Sequence, residues 1–199
     1  MIPCLILGDS LAVGVGQARP ECAVVAEVGI NTSRYLQVWR NPSQAKTVVI
    51  SLGVNDSPDI ETEANLRQLR HGILAETVFW LLPGIHPVAR TAVYDIAREF
   101  HDRVIDVAPL TGADHVHPDR TGYAKLASLT GHGGGGFVPH RTPYADMPVA
   151  TSAYRAFPAG QTAYRDFPVP PAVPGINIWR GPDNLNGLPV PPMPPKARH

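Results

Sequence analysis

The chain has 199 residues, enough for one ordinary domain and an additional segment. Its 17 basic and 17 acidic residues give a net charge of zero, which argues against nucleic acid as a partner, and no basic cluster indicates binding to a membrane surface. The sequence has no apolar run of about 18 residues, so no membrane span is predicted.

The first residues lead directly into a strand pattern. They lack the basic segment, the long apolar segment and the cleavage site of a signal peptide. We therefore expect a soluble cytoplasmic protein, or one incorporated into a virion or another extracellular assembly by a route that needs no signal peptide. Cys4 and Cys22 both lie in apolar runs, and so few cysteines predict buried free thiols rather than a disulfide framework.

Five short apolar runs, each closed by glycine, proline or a small residue, predict five buried strands. They are residues 3–7, 23–28, 47–52, 77–82 and 104–107. Helical stripes lie between them, clearly at 88–100 and more weakly at 64–74, and a last helix is expected at 118–130. This alternation predicts a flavodoxin-like three-layer α/β/α sandwich with a five-stranded parallel sheet.

The composition changes after Gly131, since 14 of the 22 prolines follow it. We predict a domain at residues 1–131, a Gly-rich linker at 132–139 and an extended Pro- and Tyr-rich tail at 140–199. A ten-residue repeat in the tail begins at Tyr144, Tyr154 and Tyr164. This composition is typical of a disordered segment. The alternative, which we adopt as a hypothesis, is that the aromatic residues bind a protein partner, so that the tail anchors the domain to a larger assembly.

Glycines and polar residues follow four of the five predicted strands. They are Gly-Asp-Ser-Leu at 8–11, a glycine at 29, Gly-Val-Asn-Asp at 53–56 and Asp-His-Val-His-Pro at 114–118. In an open parallel sheet, ligands bind beyond the carboxyl ends of the strands. These residues are therefore expected to meet at one edge of the sheet.

The residues that follow the predicted strands are of the types that catalyse acyl transfer. Ser10, at a strand-to-helix turn, is the candidate nucleophile, and serine needs a base to remove its proton. His117 follows Asp114 by three residues, which allows the carboxylate to orient the imidazole in a triad. The N–H groups of Ser10 and Gly29 and the side-chain amide of Asn55 are the predicted oxyanion hole.

Asp9 and Asp56 flank these catalytic candidates. We expect both to fix loops through hydrogen bonds to backbone groups, and either is also placed to contact substrate. His86 is expected to be solvated on a loop or helix surface. Asp114 and its neighbouring histidines could be metal ligands, but the sequence contains no second cluster with metal-ligand spacing, so no metal is predicted. Acyl transfer by a serine nucleophile also needs no cofactor.

The order of these motifs resembles the SGNH hydrolases, the GDSL-type esterases and lipases, over about residues 2–130 and not in the tail. The resemblance implies that Ser10 is the nucleophile, His117 the general base and Asp114 the orienting acid. It also implies an oxyanion hole of the Ser10 N–H, the Gly29 N–H and Asn55. No Gly-x-Ser-x-Gly elbow is present, which argues against an α/β-hydrolase.

The predicted function is a serine esterase that acts through an acyl-enzyme. Short loops at the rim favour a shallow site, which suits small acyl groups such as acetyl carried on a glycan or cell-wall polymer, or on another small ester. The alternative is a structural or glycan-binding component, for example of a virion, that uses a hydrolase-like fold as a platform.

Overall fold

The computed structural model describes residues 2–39 and 43–131, together with Gly136 and Pro139. Apart from those two residues, the predicted linker and the whole predicted tail lie outside the described residues, and their boundaries stay predictions. A Cβ at Gly136 would come within 3.0 Å of the Cβ of Arg103, so Gly136 lies beside the last strand. In the described ranges no helix has both the length and the apolar character needed to cross a membrane.

Five parallel strands form one sheet in the order β2-β1-β3-β4-β5. Their bounds are β1 Ile2–Gly8, β2 Ala23–Ala26, β3 Ser43–Ser51, β4 Ile73–Leu82 and β5 Arg103–Asp106. Side chains alternate between the two faces, and both faces are apolar. Ile6 and Phe79 belong to one buried cluster, whereas their chain neighbours Leu7 and Trp80 belong to the other, as expected for a sheet covered on both sides.

In the part of the chain that the structure describes, five α-helices cover the sheet. Their bounds are α1 Ser10–Ala18, α2 Thr32–Val38, α3 Thr62–His71, α4 Pro87–Phe100 and α5 Arg120–Leu129. Helices α1 and α5 pack on one face, and α2, α3 and α4 pack on the other. The predicted three-layer α/β/α sandwich is therefore confirmed.

One helix prediction was wrong at its end. The stripe at 64–74 was assigned to a helix, but α3 ends at His71, and Ile73 and Leu74 begin β4. Ile73 is buried, whereas Leu74 is 62% exposed, which is the alternation of a strand. Two adjacent apolar residues fit a helix as well as a strand. The backbone pairing of Ile73 and Leu74 with β3 makes them part of a strand.

The two cysteines form a disulfide, so the prediction of free thiols was wrong. In the pairing of β1 with β2, Leu5 lies opposite Ala23. The residues that precede this pair, Cys4 and Cys22, consequently lie side by side with their Cα atoms 4.6 Å apart. The register of the strands brings the sulfurs together, and spacing along the chain does not reveal that register.

Candidate active site

Ser10 and His117 meet at the carboxyl edge of the sheet although 107 positions separate them in the chain. Ser10 is the first residue of α1, and only 8% of it is exposed. Its Oγ lies 2.9 Å from Nε2 of His117, and Nδ1 of the same ring lies 2.7 Å from Oδ2 of Asp114. The three residues proposed from the sequence as a triad are thus joined by one continuous hydrogen-bond chain.

Asp114 is held as an acceptor by its own loop. Burial raises the pKa of its carboxyl, but the N–H groups of Val116 and His117, together with the His117 ring, outweigh this, and the net shift of the pKa is downward. Oδ1 accepts the two N–H groups at 3.0 and 2.9 Å. The ionised carboxylate binds the proton on Nδ1, which leaves Nε2 to accept from the serine hydroxyl.

A tight hairpin between β5 and α5 carries Asp114 and His117. Thr111 and Pro118 form an antiparallel bridge, and the Gly112 N–H donates to the His117 carbonyl oxygen at 2.7 Å. At its tip, His115 adopts a left-handed backbone with φ 58°. The backbone of this loop therefore fixes the position of the imidazole.

An ion pair between α4 and β5 holds the start of the same loop. The Arg90 guanidinium contacts both carboxylate oxygens of Asp106 at 3.0 and 3.2 Å, and it also donates to the Pro83 carbonyl oxygen. Asp106 ends β5, and its Oδ1 accepts the Ala108 N–H at 3.1 Å. Bidentate pairing of this kind constrains direction as well as distance, so it sets the path of the chain as it leaves the strand.

Two of the three predicted oxyanion donors, Gly29 and Asn55, lie on loops that a hydrogen bond joins. Gly29 is exposed, with φ 77°, and a Cβ there would meet no atom within 4 Å, so open space surrounds this position. Nδ2 of Asn55 donates to the Ile30 carbonyl oxygen at 3.0 Å, which orients the amide and links it to the loop of Gly29. That these groups and the Ser10 N–H bind an oxyanion stays a prediction.

Asp9 directly precedes Ser10 in the chain and is fully buried. Its Oδ1 accepts the Leu11 N–H at 3.0 Å and the Ser51 hydroxyl at 2.8 Å, which caps α1 and joins it to β3. Burial raises the pKa of Asp9 to about 7, although the hydrogen bonds from Ser51 and Leu11 lower it in part. Asp9 fixes the loop as expected, and its burial leaves no surface for a substrate contact.

Asp56 is also buried and also fixes loops. Its Oδ1 accepts the Thr32 N–H at 2.8 Å, and its Oδ2 accepts the hydroxyls of Thr32 and Thr62 at 2.6 and 2.7 Å. Sequence reasoning expected hydrogen bonds to local backbone, and it missed both threonines. They come from the first turns of α2 and α3, and only the packed structure brings them to one carboxylate.

The prediction that His86 is solvated was wrong. It is half-buried and caps α4, where its Nδ1 accepts the Ala89 N–H at 3.2 Å. Its Nε2 lies 2.9 Å from the Asp56 carbonyl oxygen, and since a carbonyl only accepts, Nε2 carries the proton. Pro87, at the first helical position, was the signal that the preceding residue caps the helix.

No family model matches the chain, and no curated protein matches it. Among solved structures, it is similar to the C-terminal catalytic domain of the peptidoglycan O-acetyltransferase OatA from Streptococcus pneumoniae, solved with a methylsulfonyl adduct. The identity is 20% and the TM-score 0.44, and the match covers 61% of this chain and 86% of the other. In the described ranges, no group of three His, Cys, Asp or Glu side chains is placed to hold a metal ion.

Proposed function

We propose that the protein is a serine esterase that acts through an acyl-enzyme, as the resemblance to SGNH hydrolases implies. The observation that supports it is the unbroken chain of hydrogen bonds from Ser10 Oγ through His117 to Asp114. A serine hydroxyl that contacts a neutral imidazole nitrogen, whose other nitrogen contacts a carboxylate, is the arrangement that nucleophilic acyl transfer requires.

In the proposed reaction, Ser10 Oγ attacks the ester carbonyl while Nε2 of His117 takes the hydroxyl proton. The resulting oxyanion would accept hydrogen bonds from the N–H groups of Ser10 and Gly29 and from the Asn55 amide. The imidazolium then gives its proton to the leaving alcohol. Water, deprotonated by the same nitrogen, releases the acid and restores the serine.

The loops around Ser10 favour a small acyl group. Asp9 alone connects β1 to α1, and residues 27–31 connect β2 to α2. The connections at residues 52–61 and 107–119 are longer, but the two short ones leave little chain on their side of Ser10 to enclose a deep acyl tunnel. We therefore propose acetyl groups on a glycan or cell-wall polymer as the substrate, with the chain anchored to a larger assembly by residues 140–199.

Hydrolysis of an activated acetyl ester tests the reaction. Ser10→Ala is expected to lower turnover by about 10⁶-fold, because the acyl-enzyme cannot form. Ser57→Ala makes the same change at an exposed serine on a neighbouring loop and is expected to keep the wild-type rate. A phosphonate ester that labels serine nucleophiles should modify Ser10 in the wild type and leave the Ser10→Ala variant unlabelled.

Equal rates for the wild type and Ser10→Ala would refute the esterase proposal and favour the binding platform. Product analysis with an added glycan acceptor separates hydrolysis from transfer. Free acetate indicates an esterase, whereas an acetylated acceptor indicates a transferase with the same nucleophile. Removing residues 140–199 should leave the hydrolysis rate unchanged and abolish co-sedimentation with the assembly, and a truncated chain that still co-sediments would contradict the anchoring role.

A further inference from the structure

We propose that Asp56 is a positioning residue of the oxyanion hole, whose carboxylate fixes the loop of Gly29 relative to the loop of Asn55. This inference rests on the proposed function, because it concerns the geometry of the same site. Residues 27–31 carry Gly29, and residues 52–61 carry Asn55. Neither loop belongs to the sheet, so the spacing of the two donors depends on the contacts that join the loops.

The Asp56 carboxylate makes several of these contacts. It is 6% exposed, and it accepts three hydrogen bonds between 2.6 and 2.8 Å. Two come from Thr32, three residues after Gly29, and one comes from Thr62, the first residue of α3. These bonds tie one buried side chain to the first residues of α2 and α3, so Asp56 links the segments that follow the two loops.

Three neutral hydrogen bonds extend the link. Nδ2 of Asn65 donates to the Thr32 hydroxyl at 3.0 Å, which fixes the direction in which that hydroxyl faces Asp56. The Asn55 amide donates to the Ile30 carbonyl oxygen. His86 donates to the Asp56 carbonyl oxygen from the loop that precedes α4. The side chain and the backbone of Asp56 thus connect three loops at the rim.

The kinetic consequence of a positioning role differs from that of a purely stabilising role. An oxyanion donor stabilises the charge that develops on the substrate oxygen, and its nitrogen must lie about 3 Å from that oxygen. A displaced donor therefore binds the transition state more weakly. A displacement of about 1 Å can reduce the rate about 100-fold. Binding of the uncharged ester is unaffected, so kcat should fall while KM stays constant.

The test measures kcat and KM of the full chain with an activated acetyl ester. Asp56→Ala is expected to lower kcat by about 100-fold at unchanged KM. Asp59→Ala makes the same change on the same loop at an exposed position and should match the wild type. Asp102→Asn is the control for lost stability. This buried carboxylate accepts from Arg70 and the Trp80 indole at the start of β5, so the variant should melt at a lower temperature with unchanged kcat.

A kcat for Asp56→Ala within about twofold of Asp59→Ala, or a rise in KM alone, would overturn the positioning role. If Asp56→Ala does not fold, Asp56→Asn decides the question. It keeps an acceptor for the Thr32 N–H but loses the charge, so we expect an intermediate loss of kcat, and a kcat equal to that of Asp59→Asn would overturn the inference. The absence of any Ser10-dependent hydrolysis in the wild type would instead refute the proposed function and this inference with it.

Discussion

Replacing Asp9 with asparagine should remove much of the pH dependence of the protein's stability. Asp9, next to Ser10 in the chain, is fully buried, and burial raises the pKa of its carboxyl from 3.8 to about 7. The Ser51 hydroxyl and the Leu11 N–H donate to one of its oxygens, and this compensates only part of the lost hydration. Asparagine has the same shape and keeps an acceptor for both donors, but it does not ionise.

The sign of the effect follows from proton binding. Between the ordinary pKa and the raised one, the native state holds a proton on Asp9 that the unfolded chain has lost. The free energy of unfolding therefore falls as the pH rises through this window. The contribution that protonated Asp9 makes to stability is fully present below the pKa of the unfolded chain and is lost above the pKa of the native protein. Each pH unit between the two pKa values lowers the free energy of unfolding by about 1.4 kcal/mol, so the whole window, from 3.8 to about 7, lowers it by about 4 kcal/mol.

Urea unfolding at a series of pH values from about 4 to about 8 measures this difference. The wild type and Asp9→Asn should be closest in stability at the acid end, and the variant should gain about 4 kcal/mol over the wild type by the alkaline end. Glu76→Gln, an exposed change on β4, is the control and should follow the wild type throughout. Parallel curves for the wild type and Asp9→Asn would show that Asp9 is ionised in the native protein, and the reasoning would be refuted.

Two further predictions concern the backbone and the disulfide. Gly8→Ala should yield no folded protein in circular dichroism, because at φ 137° its Cβ would lie 1.8 Å from the Ser51 carbonyl oxygen. Gly29→Ala should fold and lose only about 1–2 kcal/mol, because alanine there is strained but unobstructed; equal stabilities of the two variants would contradict this. Reducing the bond between Cys4 and Cys22, whose sequence separation is 18, should lower the free energy of unfolding by about 3 kcal/mol. An unchanged urea midpoint in the presence of reductant would contradict this prediction.

Local patterns in the sequence predicted the elements that are long or well marked. The stripe at 88–100 became α4, and the last helix, predicted at 118–130, is α5 at Arg120–Leu129. Each of these helices carries its own periodicity, so no distant residue is needed to identify it. The helix predicted at 64–74 was wrong at its end, because its last two apolar residues fit a helix as well as a strand. Their pairing with β3 places them in β4.

The α/β class, the five strands and the contiguous motifs that supply Ser10, Asp114 and His117 could be predicted from the sequence, since each of these is encoded in neighbouring residues. Which side chains from different elements share one site depends on the packing of the folded chain. The tertiary structure set the register that joins Cys4 to Cys22 and gathered the partners of Asp56 from separate loops. Contacts between distant residues depend on how the elements pack, and hydrophobic periodicity specifies which face is buried but not which residues meet across it.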